Sequence, residues 1–300
     1  IGGGSSLDTA KTCSVLLGNQ QDIRELYGIE KVSKPGAPLI LVPTSAGTGS
    51  EVTDIAILSD EATQLKMGIV SRHMLPASVI LDPELTLSLP KGPTAASGMD
   101  ALIHAMEAYV SRNATPFSDA MAEKAMELIG GNLRRFVANR QDEEAACAMM
   151  LGSNFAGISF AWARLGNVHA MSHPISAYFD VPHGVANAVL LPVIAEYNAL
   201  ADHGRYFKIF NYISPFKVDA GEFEPGLLPG AIRELCGEIG IPNGIVEAVN
   251  NASRNGPVSR EAIEEKIEAM AADAMKSGNI PANPRQSTVK DIIKLYEKTM

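Results

Sequence analysis

The residues with the strongest claim to chemistry are histidines. Three of the six in the chain, His169, His173 and His183, fall within fifteen residues of one another. Upstream, Asp100 and His104 stand four apart in Ser97-Gly-Met-Asp-Ala-Leu-Ile-His-Ala-Met-Glu-Ala-Tyr, a strongly helical segment. Residues four apart share a helix face, so a carboxylate oxygen and an imidazole nitrogen there can point at one spot. His169 and His173 repeat the spacing, with Pro174 predicting a helix end close by. One Asp with two or three imidazoles suits a divalent transition metal, Zn²⁺ and Fe²⁺ leading by ligand type. Taken singly, Asp100 and His104 are an ordinary helix-face pair and the other histidines fill polar core positions. Taken as a cluster they read as a metal centre, and without cysteine in the set nothing marks a closed structural zinc site.

Two glycine- and hydroxyl-rich segments add a second kind of chemistry. Gly2-Gly3-Gly4-Ser5-Ser6 precedes a helix expected to begin near Leu7, with Ser5 or Ser6 as its cap. Backbone N–H groups at a helix start, approached closely because glycine has no Cβ, suit a phosphate. The run is neither a G-x-G-x-x-G fingerprint nor a Walker sequence, and a simple glycine turn is the plain alternative. The second segment, Pro43-Thr-Ser-Ala-Gly-Thr-Gly-Ser-Glu-Val-Thr53, follows a short buried strand. Loops at the C-terminal ends of parallel strands are where open α/β sheets bind ligands. With the metal cluster, the two loops point to an enzyme that uses a nucleotide and a metal. His73 and His203 read as surface residues and Trp162 as a packing residue.

The elements that must position these residues fall into two groups. Residues 37–42, 53–58, 66–70 and 78–81 read as short strands, the middle two as a hairpin across the polar turn at 59–63. Strands alternating with helical signals indicate an α/β sheet. After Pro90, residues 93–110, 117–137, 143–163, 184–200, 226–239, 259–275 and 288–300 carry apolar residues at helical spacing, and Thr288 with Asp291 resembles a capping box. The division expected is therefore 1–89 as an α/β part and 90–300 as an all-helical domain.

Composition narrows the class. The chain has 25 Lys+Arg against 34 Asp+Glu, a net charge of −9, with 46% hydrophobic and 20% charged residues. That is too apolar for intrinsic disorder, and the acidic balance argues against a nucleic-acid partner. No uninterrupted apolar run reaches the ~18 residues of a membrane span. Three cysteines, far apart and without metal-type spacing, indicate a reducing, cytoplasmic compartment.

The segments Gly-Gly-Gly-Ser-Ser-Leu-Asp-Thr-Ala-Lys, Pro43 to Thr53, Gly98-Met-Asp-Ala-Leu-Ile-His and Val168-His-Ala-Met-Ser-His-Pro with Val181-Pro-His-Gly together resemble the iron-containing alcohol dehydrogenases, nearly end to end. The resemblance implies an α/β dinucleotide-binding part followed by an all-α metal-binding domain, the architecture shared with dehydroquinate synthase. It implies Asp100, His104, His169 and His183 as ligands to Fe²⁺, with Zn²⁺ accepting the same set, and His173 as a non-ligand group handling the proton. Gly2, Gly3, Gly4, Ser5 and Ser6 would cradle a cofactor pyrophosphate, and Thr44, Ser45, Thr53 and Lys66 would line the rest of its cleft. The implied reaction is reversible hydride transfer between a primary alcohol or aldehyde and a nicotinamide, NAD(H) ahead of NADP(H), in a homo-oligomer. Relatives carry further residues before the glycine motif, so a truncated start at Ile1 is expected, with an exposed apolar sheet edge and weak dinucleotide binding. The alternatives are a dehydroquinate synthase-like metal enzyme and a catalytically incompetent fragment.

Overall fold

The computed structural model describes residues 1–60 and 65–300, without the side chains of residues 59, 60, 65 and 66. The hairpin turn and the side chain of Lys66 therefore lie outside the described residues. The first helix, α1 (Gly4–Gly18), starts earlier than the serines predict. Gly3 is its N-cap, no side chain caps it, and Ser5 and Ser6 sit in its first turn. The Gly3 carbonyl itself accepts from the N–H groups of Ser6 and Leu7, so glycine backbone closes the turn that a serine hydroxyl was expected to close.

Five short strands follow: β1 (Gly28–Ile29), β2 (Ile40–Leu41), β3 (Ile55–Asp60), β4 (Leu65–Val70) and β5 (Ser78–Val79). β3 and β4 form the expected antiparallel hairpin, in register from Ile55↔Val70 to Asp60↔Leu65. β1 lies parallel to the other edge of β4, and β2 lies parallel to β5. A parallel bridge between Gly2 and Pro43 carries the glycine motif alongside β2. The strand expected over 37–42 shrinks to two residues partly because Pro38 has no N–H for a ladder. β1, also two residues long, gave no periodic signal to read. Ile29 and Ile40 on these strands are exposed.

From Lys91 onward the described chain is helical: α2 (Lys91–Val110), α3 (Pro116–Ala138), α4 (Glu143–Ala163), α5 (Asn167–Phe179), α6 (His183–Asn198), α7 (Arg205–Ile213), α8 (Leu227–Ile239), α9 (Ile245–Ala252), α10 (Arg260–Glu264), α11 (Ile267–Ala274) and α12 (Val289–Thr299). The Thr288–Asp291 capping box forms as expected, and a second one, Thr115 with Ser118, starts α3. The helix expected over 259–275 is instead two, and α7 and α9 lie outside the expected helices. α5 also runs past Pro174, contrary to the expected stop. Proline removes one ladder bond there, while Val168, Met171 and Ile175 are buried in the main core, so tertiary packing carries the helix onward.

α2 is the central helix, buried from Thr94 through Tyr109 apart from Ser97 and packed on α3, α4 and α6. A helix hydrophobic on all sides belongs inside a bundle. α4 and residues 183–201 are long and apolar enough to cross a membrane, yet 61% of each such stretch is buried among neighbouring helices, as in a core helix. Trp162 departs from its expected packing role. It is 65% exposed at the end of α4, its ring meeting Phe117 edge-on at 5.6 Å.

Candidate functional site

Three helices converge to make the site. α2 supplies Asp100 and His104, α5 supplies His169 and His173, and α6 begins with His183. Asp100, His104 and His169 are buried, while the side chain of His183 is 30% exposed, which leaves a route in from solvent. One ligand atom from each of Asp100, His169 and His183 lies within 4.8 Å of the others. Asp100 Oδ1 is 3.6 Å from His169 Nε2 and 3.8 Å from His183 Nε2. A tetrahedral ion with bonds of about 2.1 Å spaces its ligands about 3.4 Å apart, so these separations match a divalent cation closely.

His104 stands beside this trio, outside it. Its ring stacks on His169 at 4.6 Å and on Phe160 at 4.4 Å, and its Nδ1 lies 3.2 Å from the Gly47 carbonyl. A carbonyl only accepts, so Nδ1 carries the proton and Nε2 keeps the lone pair a metal ligand needs. The His173 ring stacks on His183 at 5.3 Å, placing it next to the trio.

Two further side chains, absent from the sequence-based set, complete the surroundings. The Glu107 carboxylate lies 2.7 Å from His169 Nδ1 and accepts from the Val168 N–H at 2.8 Å. Asn187 Nδ2 sits 2.6 Å from Asp100 Oδ1, 3.1 Å from His169 Nε2 and 3.2 Å from His183 Nε2. The Asn187 Oδ1 atom is buried without a hydrogen-bond partner among the described residues. One carboxylate oxygen and two imidazole nitrogens thus meet at one buried point, the donor set that a divalent transition metal takes, and the residues present fit a metal ion. The spacing of Glu107, seven after Asp100 and three after His104, could have flagged it on the same helix stripe. Asn187, four after His183, carried the same kind of signal.

Electrostatics follow from burial and proximity. Burial alone would raise the Asp100 carboxyl, but the His104, His183 and His169 rings outweigh it and hold it well below the usual carboxylate range. Burial pushes His104 down to about 4, against the pull of Asp100. His169 goes the other way: burial would lower it, yet its hydrogen bonds with Asp100 and Glu107 lift it to about 9. His104 is therefore neutral at physiological pH, and His169 is the cation facing Asp100. An ion that takes Nε2 of His169 must displace a proton whenever the pH is below about 9. Metal affinity is thus expected to rise about tenfold per pH unit toward that value and to level off above it. Titration of metal against the apo chain from neutral to alkaline pH checks this, a flat profile being the contrary result.

The glycine loops lie together at one end of the short strands. The Gly2 N–H donates to Val42, and the Thr44 N–H donates back to the Gly2 carbonyl. Gly2 has φ +151°, and a Cβ there would come within 2.6 Å of Ser6. At Gly4 a Cβ would meet the Thr48 side chain at 2.7 Å. With no side chain capping α1 and the Ser6 and Leu7 N–H groups bonded to the Gly3 carbonyl, the N–H groups of Gly4 and Ser5 remain available to an anion, and the half-buried Thr44 and Ser45 stand beside them. Thr53 is placed differently. It is buried beneath the loop, its hydroxyl 3.3 Å from Lys11 Nζ. Lys11 also donates to the carbonyls of Ser50 and Ile55, tying α1 to this loop from below.

Comparison with known proteins agrees with this picture over the whole chain. Residues 1–83 match the family described as iron-containing alcohol dehydrogenase, and residues 94–300 match the C-terminal part of the same family. The NAD-dependent methanol dehydrogenase of Bacillus methanolicus is 36% identical across 100% of this chain and 76% of its own length. The solved alcohol dehydrogenase from Oenococcus oeni superposes with a TM-score of 0.91 at 37% identity, covering 100% of this chain and 75% of that one. A sulfoacetaldehyde reductase from Bifidobacterium kashiwanohense, solved with NAD⁺, gives 0.84 at 31% identity over 100% of this chain and 74% of that one. The chain thus spans about three-quarters of the length of these relatives. With both family matches and the shared fold, the chain belongs to the iron-containing alcohol dehydrogenase family.

Proposed function

We propose that this chain interconverts a small primary alcohol and its aldehyde with a nicotinamide cofactor, at a metal held by Asp100, His104, His169 and His183. The observation that carries the reading is the convergence of three helices that sets Asp100 Oδ1 3.6 Å from His169 Nε2 and 3.8 Å from His183 Nε2. Nitrogen and carboxylate donors without thiolate suit Fe²⁺, with Zn²⁺ the alternative occupant. When bound, the ion supplies Lewis-acid stabilisation of negative charge developing on the substrate oxygen, and the nicotinamide supplies the hydride acceptor or donor.

The chain's own residues do the rest. Asp100, kept ionised, brings the negative charge that anchors a cation, and His104 presents Nε2 from the side walled by Phe160. His173, stacked on His183, is placed to carry the hydroxyl proton away from the site. Gly2, Gly3, Gly4, Ser5 and Ser6 cradle the cofactor pyrophosphate through the N–H groups of Gly3, Gly4 and Ser5, since those of Gly2 and Ser6 already bond Val42 and Gly3, flanked by Thr44 and Ser45, while Thr53 supports the loop. Residues 1–89 then form the dinucleotide-binding part and 90–300 the metal domain. NAD(H) is the proposed cofactor and the cytoplasm the proposed compartment. The test is NADH formation from short primary alcohols by the chain reconstituted anaerobically with Fe²⁺ or Zn²⁺. Steady turnover is expected at saturating NAD⁺. Metal uptake with no nicotinamide reduction across the alcohol panel would favour a synthase-like chemistry instead.

A further inference from the structure

Glu107 is a charged side chain only 5% exposed, deep in the helical core, and the proposed chemistry does not use it directly. Its two oxygens are both committed. Oε1 accepts the Val168 N–H at 2.8 Å, and Oε2 lies 2.7 Å from His169 Nδ1 and 3.4 Å from the His169 N–H. These N–H groups open α5, whose N-cap, Gly166, has no side chain to offer. Glycine there is what admits the carboxylate: a Cβ on Gly166 would stand 2.9 Å from Glu107 Oε1 and 2.8 Å from Asn283 Oδ1. Asn283 takes the neighbouring Asn167 N–H at 3.1 Å, so the start of α5 is capped by two side chains from distant parts of the chain.

From this geometry we infer that Glu107 is the positioning residue of the metal centre, fixing the proton of His169 on Nδ1 and aiming its Nε2 lone pair at the ion. A carboxylate can only accept, so the short contact to Nδ1 requires the hydrogen on that nitrogen. The same carboxylate holds the backbone of His169 in place, so ring tautomer, ring orientation and helix start are set by one group. Carboxylate–imidazole–metal arrangements of this kind tune affinity as well as orientation. The inference rests on the reading of His169 as a metal ligand.

Glu107→Gln separates the two roles. The glutamine oxygen still accepts the Val168 N–H, but its NH₂ group faces Nδ1, makes that nitrogen an acceptor, and moves the imidazole proton to Nε2, where the ion should bind. Zn²⁺ affinity measured by chelator competition above about pH 9, so that proton competition at His169 does not enter, is expected to fall about 10- to 100-fold. The thermal midpoint of the metal-free chain should stay within a few degrees of the parent. Nitrogen-15 histidine spectra of the zinc-loaded parent give a check that needs no variant: His169 should show a protonated Nδ1 and a metal-bound Nε2. Equal zinc affinity in parent and variant, or zinc on Nδ1 of His169, would overturn the role of Glu107 alone. A parent chain that takes up no stoichiometric zinc overturns the ligand reading as well.

Discussion

His183→Ala is expected to leave a folded chain that no longer retains metal. His183 is the first residue of α6, preceded by Pro182, and its side chain is the most exposed of the three converging ligands. Removing it takes away one of the four proposed donor atoms without opening a cavity in the main core. Changes outside the ligand set cost about 10–100-fold in affinity, so loss of a ligand should cost more than that. The checks are metal content per chain after gel filtration and a thermal melt of the metal-free form. A metal content equal to the parent's would remove His183 from the ligand set.

Gly184→Ala, the neighbouring substitution, is expected to harm both the fold and the site. A Cβ at Gly184 would lie 2.1 Å from the carbonyl oxygen of Ala96 and 2.7 Å from its carbon. Those atoms belong to the backbone of the central helix α2, which has no slack to give. α6 must therefore move off α2, and it carries His183 and Asn187 away from Asp100 as it goes. Overpacking of this kind costs about 1–3 kcal/mol, with metal affinity falling in parallel. Gly237→Ala in α8 is the matched control, because nothing lies within 4 Å of its Cβ position. There the helix-propensity gain of ~1 kcal/mol should show as neutral or mildly stabilising. Urea midpoints and metal titrations of the two variants side by side decide the matter. A Gly184→Ala chain matching the parent in both would show that the α2–α6 contact does not hold the site.

How much of this was legible beforehand depended on how local the cause was. Helix α4 could be read to its bounds, 143–163, because acidic residues open it and a long apolar stretch follows. The Thr288–Asp291 box was legible because both partners of the cap lie within one turn. The hairpin β3–β4 was legible from two strand-like runs of nearly equal length. The passage of α5 through Pro174 was not, since what sustains that helix is burial of Met171 and Ile175 by distant segments. Nor was the cap at the start of α1, where a glycine carbonyl does what a serine was expected to do.

The site shows the same division. Clustering of Asp100, His104, His169, His173 and His183 by type and spacing was visible in the sequence, the family resemblance singled out all but His173 as ligands, and the structure brings Asp100, His169 and His183 to one point with His104 stacked alongside. The groups around them were not visible, because Glu107 and Asn187 are ordinary helix residues until α2, α5 and α6 meet. Thr53 was grouped with the cleft by its place in a hydroxyl-rich loop, and its burial against Lys11 could not be read from that.

The most direct test is anomalous diffraction from crystals of the chain loaded with Fe²⁺ or Co²⁺. The expected result is one strong peak bonded to Asp100, His169 Nε2 and His183 Nε2, with His104 Nε2 turned toward it. A metal bound elsewhere, with these side chains intact and empty, would contradict the account.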